Sequence, residues 1–473
     1  MKVTHVAIRP TEASIRQGRP SLTPELLAAS GARYSRKNEG LQSILDRIDP
    51  DHLDASVDSI FRMIDYGHQS IADMVPVAMF IDRISIWLAY YLWTLCPLAG
   101  GQESSTRYIK LGSEGLLRPD ELGIPRDMQS RWSEAMDRGF DAYKKALTIW
   151  DSIASQDPSV IKLPPEVAQD KSDKGKQRLA RMQRNYAFDR ARSFLPVAAG
   201  TNVMMVMSAR AWVLLCQYLL SAAQVEQVNL GKLIREELEL AAPRLCKYAQ
   251  ETPSIKLGLD QDFGKLRHLA SLDFPTELMR NASSCEAPDT ACLTTDRPAA
   301  VSPADFASAL ALHDNRYAWI GKDIQRISVR FGWNAVSFAE IRDLNRHRTG
   351  TKYCPIVPKG FYFSREQVPM GEIFSGYREH LVELSGVGRD LSSQALNLLR
   401  DGDKAYPYWM LLGTQYSFEH LTTGDKFIYE VELRTGAGAH FRYAKHLRDA
   451  AQLWYAEFPE TQGLILEGSA EPE

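Results

Sequence analysis

Apolar positions recur at helical spacing through residues 40–110. There the run "LQSILDRIDPDHLDASVDSIFRMIDYGHQS" breaks at Pro50 and ends near Gly67. Residues 129–154 put aromatic and aliphatic side chains on one face of another helix. Residues 204–248, "MMVMSARAWVLLCQYLLSAAQVEQVNLGKLIREELELAAPRLCKY", predict helix again, buried in its first half. Between these, 155–178 is polar and punctuated by proline, which predicts a loop with a helix starting at its end. Residues 251–304 carry Pro, Ser, Thr and Asp with little period and predict a linker. Beyond it, short β-favouring runs such as "FIYEVELRT" mix with helices near 324–348 and 386–400.

The pattern also repeats. Residues 95–108, "LCPLAGGQESSTRY", and 346–359, "RHRTGTKYCPIVPK", follow similar approaches, "IDRISIWLAYYLWT" and "WNAVSFAEIRDLN". Later, "GTNVMM…AAQVEQ" (200–227) has a counterpart in "GTQYSF…AAQLWY" (413–455). Ala-rich helical sequence matches by chance, but several elements recurring in one order point to an internal duplication.

Composition narrows the class. A chain of 473 residues predicts two or three domains with ample core. Net charge of −3 gives no bulk attraction to nucleic acid, and 44% hydrophobic with 24% charged residues suits an ordinary globular protein. The opening "MKVTHVAIRPTEAS" lacks a signal peptide's apolar run. The most apolar segment, "PVAMFIDRISIWLAYYLWTLCPLAGG", is interrupted by Asp82 and Arg83, so a buried core helix is expected there and no membrane span. Trp87, Tyr90, Tyr91 and Trp93 then read as core. Cys96, Cys216, Cys246, Cys285, Cys292 and Cys354 form no C-x-x-C pair and no cluster of zinc spacing. Free thiols, no metal and a reducing cytoplasm are the expectation.

The candidate chemistry begins at "DLNRHRTGTKY", residues 343–353. Arg346, His347 and Arg348 in a row either close a helix, where cations suit the dipole, or build an anion site. "AGGQESSTR", by contrast, has the small residues, hydroxyls and guanidinium that a phosphate needs. The plain alternatives are local ones. His68 and Gly67 suit a helix end, Glu103 and Arg107 an i,i+4 pair, and Arg192 a structural ion pair.

These residues resemble the flavin-dependent thymidylate synthases. That family carries R-H-R-x-x-S-x-N/Q-E-x-S-x-R-Y preceded by G-H-x-S-x-x-E-H, with A-R-x-x-L-P, N-x-R and H-A-Q elements later. "GARYSR" (31–36) is similar to its opening segment. "GHQSIADM" supplies Gly67, His68 and Ser70, with Asp73 and Met74 in place of Glu and His. Gln102, Glu103, Ser105, Arg107 and Tyr108 match the second half of the signature. "ARSFLP" brings Arg192, and "SARAW" brings Arg210 with Ser208 in place of Asn. Leu95, Cys96 and Pro97 stand where R-H-R belongs. The second copy keeps Arg346, His347, Arg348 and Thr351 but has Tyr353, Cys354, Ile356, Pro358 and Lys359 in the remainder. Each copy has lost what the other keeps. The family's sites lie between subunits of a tetramer, so a fused duplicate needs only one complete composite site.

The resemblance implies an α+β fold of two tandem domains, helices on a small mainly antiparallel sheet, at 1–253 and 305–473 with a linker at 254–304. The two would form a pseudo-dimer, and two chains a homodimer of pseudo-dimers. It implies reductive C5 methylation of dUMP with FAD, NADPH and methylenetetrahydrofolate. Gln102, Glu103, Ser105, Thr106, Arg107 and Arg192 would hold the nucleotide; His68, Ser70, Arg210, Arg346, His347 and Arg348 the flavin. In the family an arginine six residues before the H-A-Q glutamine polarises the uracil ring. That position is Tyr218 in the first copy and His446 in the second, with Arg442 and Arg448 within a turn, so Arg442, His446 and Arg448 are the catalytic candidates. The altered motifs leave two other readings open: a related one-carbon modification, such as hydroxymethylation, of another pyrimidine nucleotide, or a non-catalytic flavin- or nucleotide-binding regulator.

Overall fold

The computed structural model describes residues 1–35, 40–49, 52, 57–58, 60–61, 69–107, 111–163, 169–272, 286–298, 301–436 and 438–468. His68, Tyr108 and Cys285 lie outside them. The described chain is α+β, with two antiparallel sheets. It divides into two compact units. The first holds Met1–Ser104, Asp120–Gly123 and Gly200–Phe263; the second holds Ser105–Pro119, Ile124–Ala199 and Gly264–Glu473.

The sheet of the first unit contains β1 (Lys2–His5), β2 (Pro76–Ser85), β3 (Gly100–Glu103) and β4 (Gly200–Ser208), in the order β1-β2-β4-β3. Val77, Met79, Ile81, Val203 and Met205 face the core with Trp212, Leu215 and Leu219 from the helix Ala209–Ser221. Ser85 ends β2 and caps the helix Ile86–Leu95, its Oγ accepting from Leu88 N at 2.9 Å. Buried Glu226 accepts from both Ser85 N and Ser85 Oγ at 2.7 Å, fixing that junction. Trp87, Tyr90 and Trp93 on this helix are buried.

The second sheet contains β5 (Ala291–Asp296), β6 (Ser328–Ser337), β7 (Thr351–Tyr353) and β9 (Thr414–Thr423), in the order β5-β6-β9-β7, with β8 (Gly360–Phe361) on β9. The strand order is that of the first sheet. The register repeats as well. β2 slips against β4 between Ile81 and Ile84, and β6 slips against β9 between Trp333 and Val336. A four-residue helix precedes each long strand, Ser70–Asp73 and Lys322–Gln325. A capped helix follows each, Ile86–Leu95 and Phe338–Leu344.

In the second unit the helices Gln129–Gln156 and Glu372–Asp401 pack on the segments Arg192–Phe194 and Tyr406–Trp409. Trp132 Nε1 donates to Tyr408 O at 2.9 Å, and Phe194 meets Phe361 at 5.4 Å between centroids. Pro196 and Leu411 form an antiparallel bridge. The registers put Ser208 level with Thr423, and counting back from both brings Pro196 level with Leu411. Positions that stand at the same distance from their respective sheet strands therefore pair with each other.

Several elements differ from the sequence expectation. β2 and β4 lie where helix was expected. "PVAMFIDRIS" is a short, nearly unbroken apolar run, and such a central strand cannot be told from a buried helix by period alone. "GTNVMMVMS" is rich in methionine, a good helix former, yet pairing on both sides overrides that preference. β6 likewise takes up the middle of the stretch 324–348 where helices were expected, and only Phe338–Leu344 after it is helical as expected. "FIYEVELRT" is helical, within Gly424–Thr435, because Phe427, Ile428 and Val431 are spaced to bury one helical face. The stretch expected as a linker holds most of the helix Pro253–Ser271 and strand β5.

Candidate active site

The register tests the alignment behind the split motif. β3 pairs Gly100 with Val206 and Gln102 with Met204; β7 pairs Thr351 with Leu421 and Tyr353 with Glu419. With Ser208 level with Thr423, Gly100 falls level with Thr351 and Gln102 with Tyr353. Leu95-Cys96-Pro97 thus occupies the place of Arg346-His347-Arg348. Gly350 makes the turn between R-H-R and β7. Its φ is 67°, and a Cβ there would lie 2.0 Å from Leu421 O, so only glycine fits.

The three basic residues divide by burial. His347 is buried, Arg346 half-buried and Arg348 exposed. His347 Nε2 accepts from Arg434 Nε at 2.8 Å. Burial pushes its pKa down to about 3, against the pull of Glu430 and with help from Arg434, so the ring is neutral near pH 7. Buried His420 approaches Glu430 at 3.0 Å, and its Nε2 donates to Thr349 O at 2.8 Å. Lys352 Nζ donates to His347 O.

Around them opens a cleft of about 640 Å³. Arg316, Arg346, Arg348, Lys426 and Arg434 bring cations to its wall, Asp425 is the carboxylate among its lining residues, and Tyr317 and Tyr429 add aromatic rings. The volume lies in the usual range for a small-molecule or cofactor site.

The other motif half reaches Asp343, whose backbone carbonyl holds the lining residue Arg434. Arg192, 2% exposed, approaches Asp343 Oδ2 at 3.4 and 3.5 Å through its two Nη atoms. Arg434 Nη2 donates to Asp343 O at 2.8 Å. Burial alone would raise the Asp343 carboxyl, but Arg192, Arg346, Arg434 and Arg107 overcome it and hold the pKa well below the usual range. Arg107 forks onto Asp189 at 2.8 and 2.9 Å and donates to Gly438 O at 3.0 Å. Ser105 Oγ accepts from Arg107 N at 3.1 Å, and Arg342 Nη1 donates to Thr106 Oγ1 at 3.4 Å. Thus Ser105, Thr106, Arg107, Arg192, Arg346, His347 and Arg348 belong to one unit.

Gln102, Glu103, Ser70 and Arg210 belong to the other. Glu103 is buried and accepts from Trp93 Nε1 at 3.3 Å. Gln102 is exposed on β3. Ser70 is exposed at the first residue of its short helix, and Arg210 pairs with Asp73 at 2.8 Å.

Arg442 and His446 lie in a different network. His446 is fully buried between Glu340, 2.7 Å from Nδ1, and Asp289, 3.2 Å from Nε2. Burial alone would lower its pKa, yet Glu340 and Asp289 outweigh it and raise it above the ordinary value. Arg442 pairs with Asp289 at 2.9 Å and Glu366 at 3.5 Å, over the Tyr362 ring. Arg448 donates to Gly468 O at 3.1 Å. These are ion-pair and backbone contacts, and none of the three lines the cleft.

Helix placement explains the displacement. Gln224 immediately precedes the 17-residue helix Val225–Ala241, and His440 immediately precedes the 17-residue helix Phe441–Glu457. His440 therefore corresponds to Gln224, while Gln452 sits in mid-helix. Six residues before His440 is Arg434, which does line the cleft. Taking "FIYEVELRT" as a strand hid this residue. Its arginine near the end of an apolar-periodic run was the available signal.

Residues 21–244 match the family model described as "Thymidylate synthase complementing protein". A flavin-dependent thymidylate synthase of Clostridium tetani (strain Massachusetts / E88) is 24% identical over 227 residues, 48% of this chain and 82% of that protein. Over residues 21–244 the chain is therefore similar to the flavin-dependent thymidylate synthases. Among solved structures, the UMP/dUMP methylase PolB from Streptomyces cacaoi, bound with 5-Br dUMP, is 16% identical, covering 52% of this chain and 93% of that one, with a TM-score of 0.31. A score of that size does not define a shared fold.

Proposed function

We propose that the protein is a flavin-dependent methyltransferase acting at C5 of a uracil nucleotide of the dUMP type, built from a duplicated family domain with one composite site per chain. One observation carries this reading: Arg192 from the first motif half and the cleft-lining Arg434 both bond Asp343, just before R-H-R. FAD fits the cleft by donor chemistry, since a diphosphate needs the cations that Arg316, Arg346, Arg348 and Lys426 supply. When bound, FAD supplies the hydride for the reductive step, with NADPH as reductant and methylenetetrahydrofolate as carbon donor. Arg434 is the cation suited to charge developing on the uracil ring. His347, neutral and accepting from Arg434, fixes where that guanidinium points. Ser105, Thr106, Arg107 and Arg192 form the nucleotide side. Two chains assemble as a homodimer of pseudo-dimers.

The purified chain tests this. It binds FAD with a yellow flavin spectrum and releases tritium from [5-³H]dUMP only with methylenetetrahydrofolate and NADPH present. Flavin binding without tritium release from dUMP or UMP rules out C5 methylation of these nucleotides.

A further inference from the structure

Tyr317 stands at the rim of the cleft with 79% of its surface exposed. The loop that carries it is held in place. Asn315 Oδ1 accepts from Tyr317 N at 3.0 Å, and Asn315 O accepts from Ala318 N at 2.8 Å. The neighbouring Arg316 lies against Gly436, where a Cβ would come within 2.8 Å of its Nη2. A bare aromatic ring is thus presented from a fixed backbone. Its centroid is 6.3 Å from Tyr429, tilted by 49°, and Tyr429 rises from the helix Gly424–Thr435 into the same cleft. The cleft therefore combines two chemistries, a set of guanidinium and ammonium groups and a pair of rings at one side. Phosphate alone would use only the first. A ligand using both carries a diphosphate and a flat heterocycle.

We infer that Tyr317 and Tyr429 form an aromatic lip that stacks on a ring of the bound dinucleotide, and that Tyr317 sets the preference for a ring-bearing ligand over a bare diphosphate. This rests on the FAD reading above but names residues that the family motifs do not contain. Stacking on a base is worth about 1–3 kcal/mol. Replacing Tyr317 by Ala then raises the Kd for FAD roughly tenfold or more, whereas Tyr317→Phe keeps it within about twofold, since the ring remains.

The experiment titrates FAD, ADP, NADPH and inorganic pyrophosphate into full-length wild type, Tyr317→Ala and Tyr317→Phe, reading flavin fluorescence and calorimetric Kd. Thermal midpoints check that each variant is folded. The expected result is quenched flavin in wild type and Tyr317→Phe, unquenched and weakly held flavin in Tyr317→Ala, and pyrophosphate affinity equal in all three. Equal FAD affinity in wild type and Tyr317→Ala overturns the lip while leaving FAD as the cofactor. Equal loss of FAD and pyrophosphate also overturns it, because the tyrosine then only supports the cations. Wild type that ignores FAD but binds ADP or NADPH in a Tyr317-dependent way upholds the lip and rejects FAD. Wild type that binds no ring-bearing probe better than pyrophosphate overturns it.

Discussion

Arg434 donates through Nε to His347 Nε2 at 2.8 Å, so the histidine of R-H-R serves a guanidinium and turns its edge away from solvent. With Nη2 on Asp343 O, Arg434 is held at two atoms on the cleft wall. Arg434→Ala lowers turnover on dUMP by about a hundredfold or more, comparable to removing one preorganised charge-stabilising donor. FAD affinity falls by less than about tenfold, as flavin phosphates have other cations. Single-turnover flavin oxidation and FAD titration separate the two effects. Full activity in the variant removes Arg434 from the chemistry.

Asp343 is the shared counter-charge. Asp343→Asn leaves Arg192 buried without its carboxylate, and breaking such a pair costs about 3–5 kcal/mol. Urea unfolding is expected to show a loss near the lower figure, since Asp343 keeps 17% side-chain exposure. A change below about 0.5 kcal/mol would mean that solvent already screens the cluster.

The two cofactor-side arginines divide from the nucleotide side. Arg346→Ala and Arg348→Ala each weaken FAD about tenfold or more, charge-assisted contacts being worth about 1.5–3 kcal/mol. The larger effect belongs to half-buried Arg346. Arg107→Lys breaks the fork on Asp189 and weakens dUMP about tenfold, with FAD little changed. Calorimetry of dUMP into FAD-loaded protein reads both, and two nucleotides bound per chain would contradict a single composite site.

Acid should release the Glu340–His446 pair. Burial alone would raise Glu340, but His446 pulls it down to about 2 from an ordinary 4.5. A depressed carboxyl contributes stability above about pH 4.5 that disappears as pH falls towards 2. His446, raised, acts oppositely: its contribution is complete below its ordinary value and is lost as pH climbs through the folded one. Glu340→Gln should therefore flatten the acid limb of the thermal midpoint between pH 5 and about 2 relative to wild type. Parallel acid limbs in the two proteins would place the titration elsewhere.

Much of the site was legible because its residues are locally patterned. R-H-R followed by T-G-T drew attention to the segment that lines the cleft, since Gly350 and the cations announce themselves in sequence. The long amphipathic helix Gln129–Gln156 was equally plain. The strands were hidden for a physical reason: β2 and β4 owe their form to partners far along the chain, and a ten-residue apolar run has no period of its own. Arg434 was missed through the same confusion in reverse, a helix with β-branched and aromatic content. Asp343 and Asp189, which organise the arginines, carry no motif at all; only the folded chain brings them to their partners.

The bridge between Pro196 and Leu411 bears on how the protein is made. Phe194, Pro196 and the helix Gln129–Gln156 are synthesised early, yet what covers them, Phe361, Tyr408 and Leu411, arrives late. Until the ribosome has delivered those residues, Trp132 has no carbonyl for its indole, and Gly139 no Leu411 against it. A chain released near its midpoint would thus be an adhesive fragment, not a smaller enzyme.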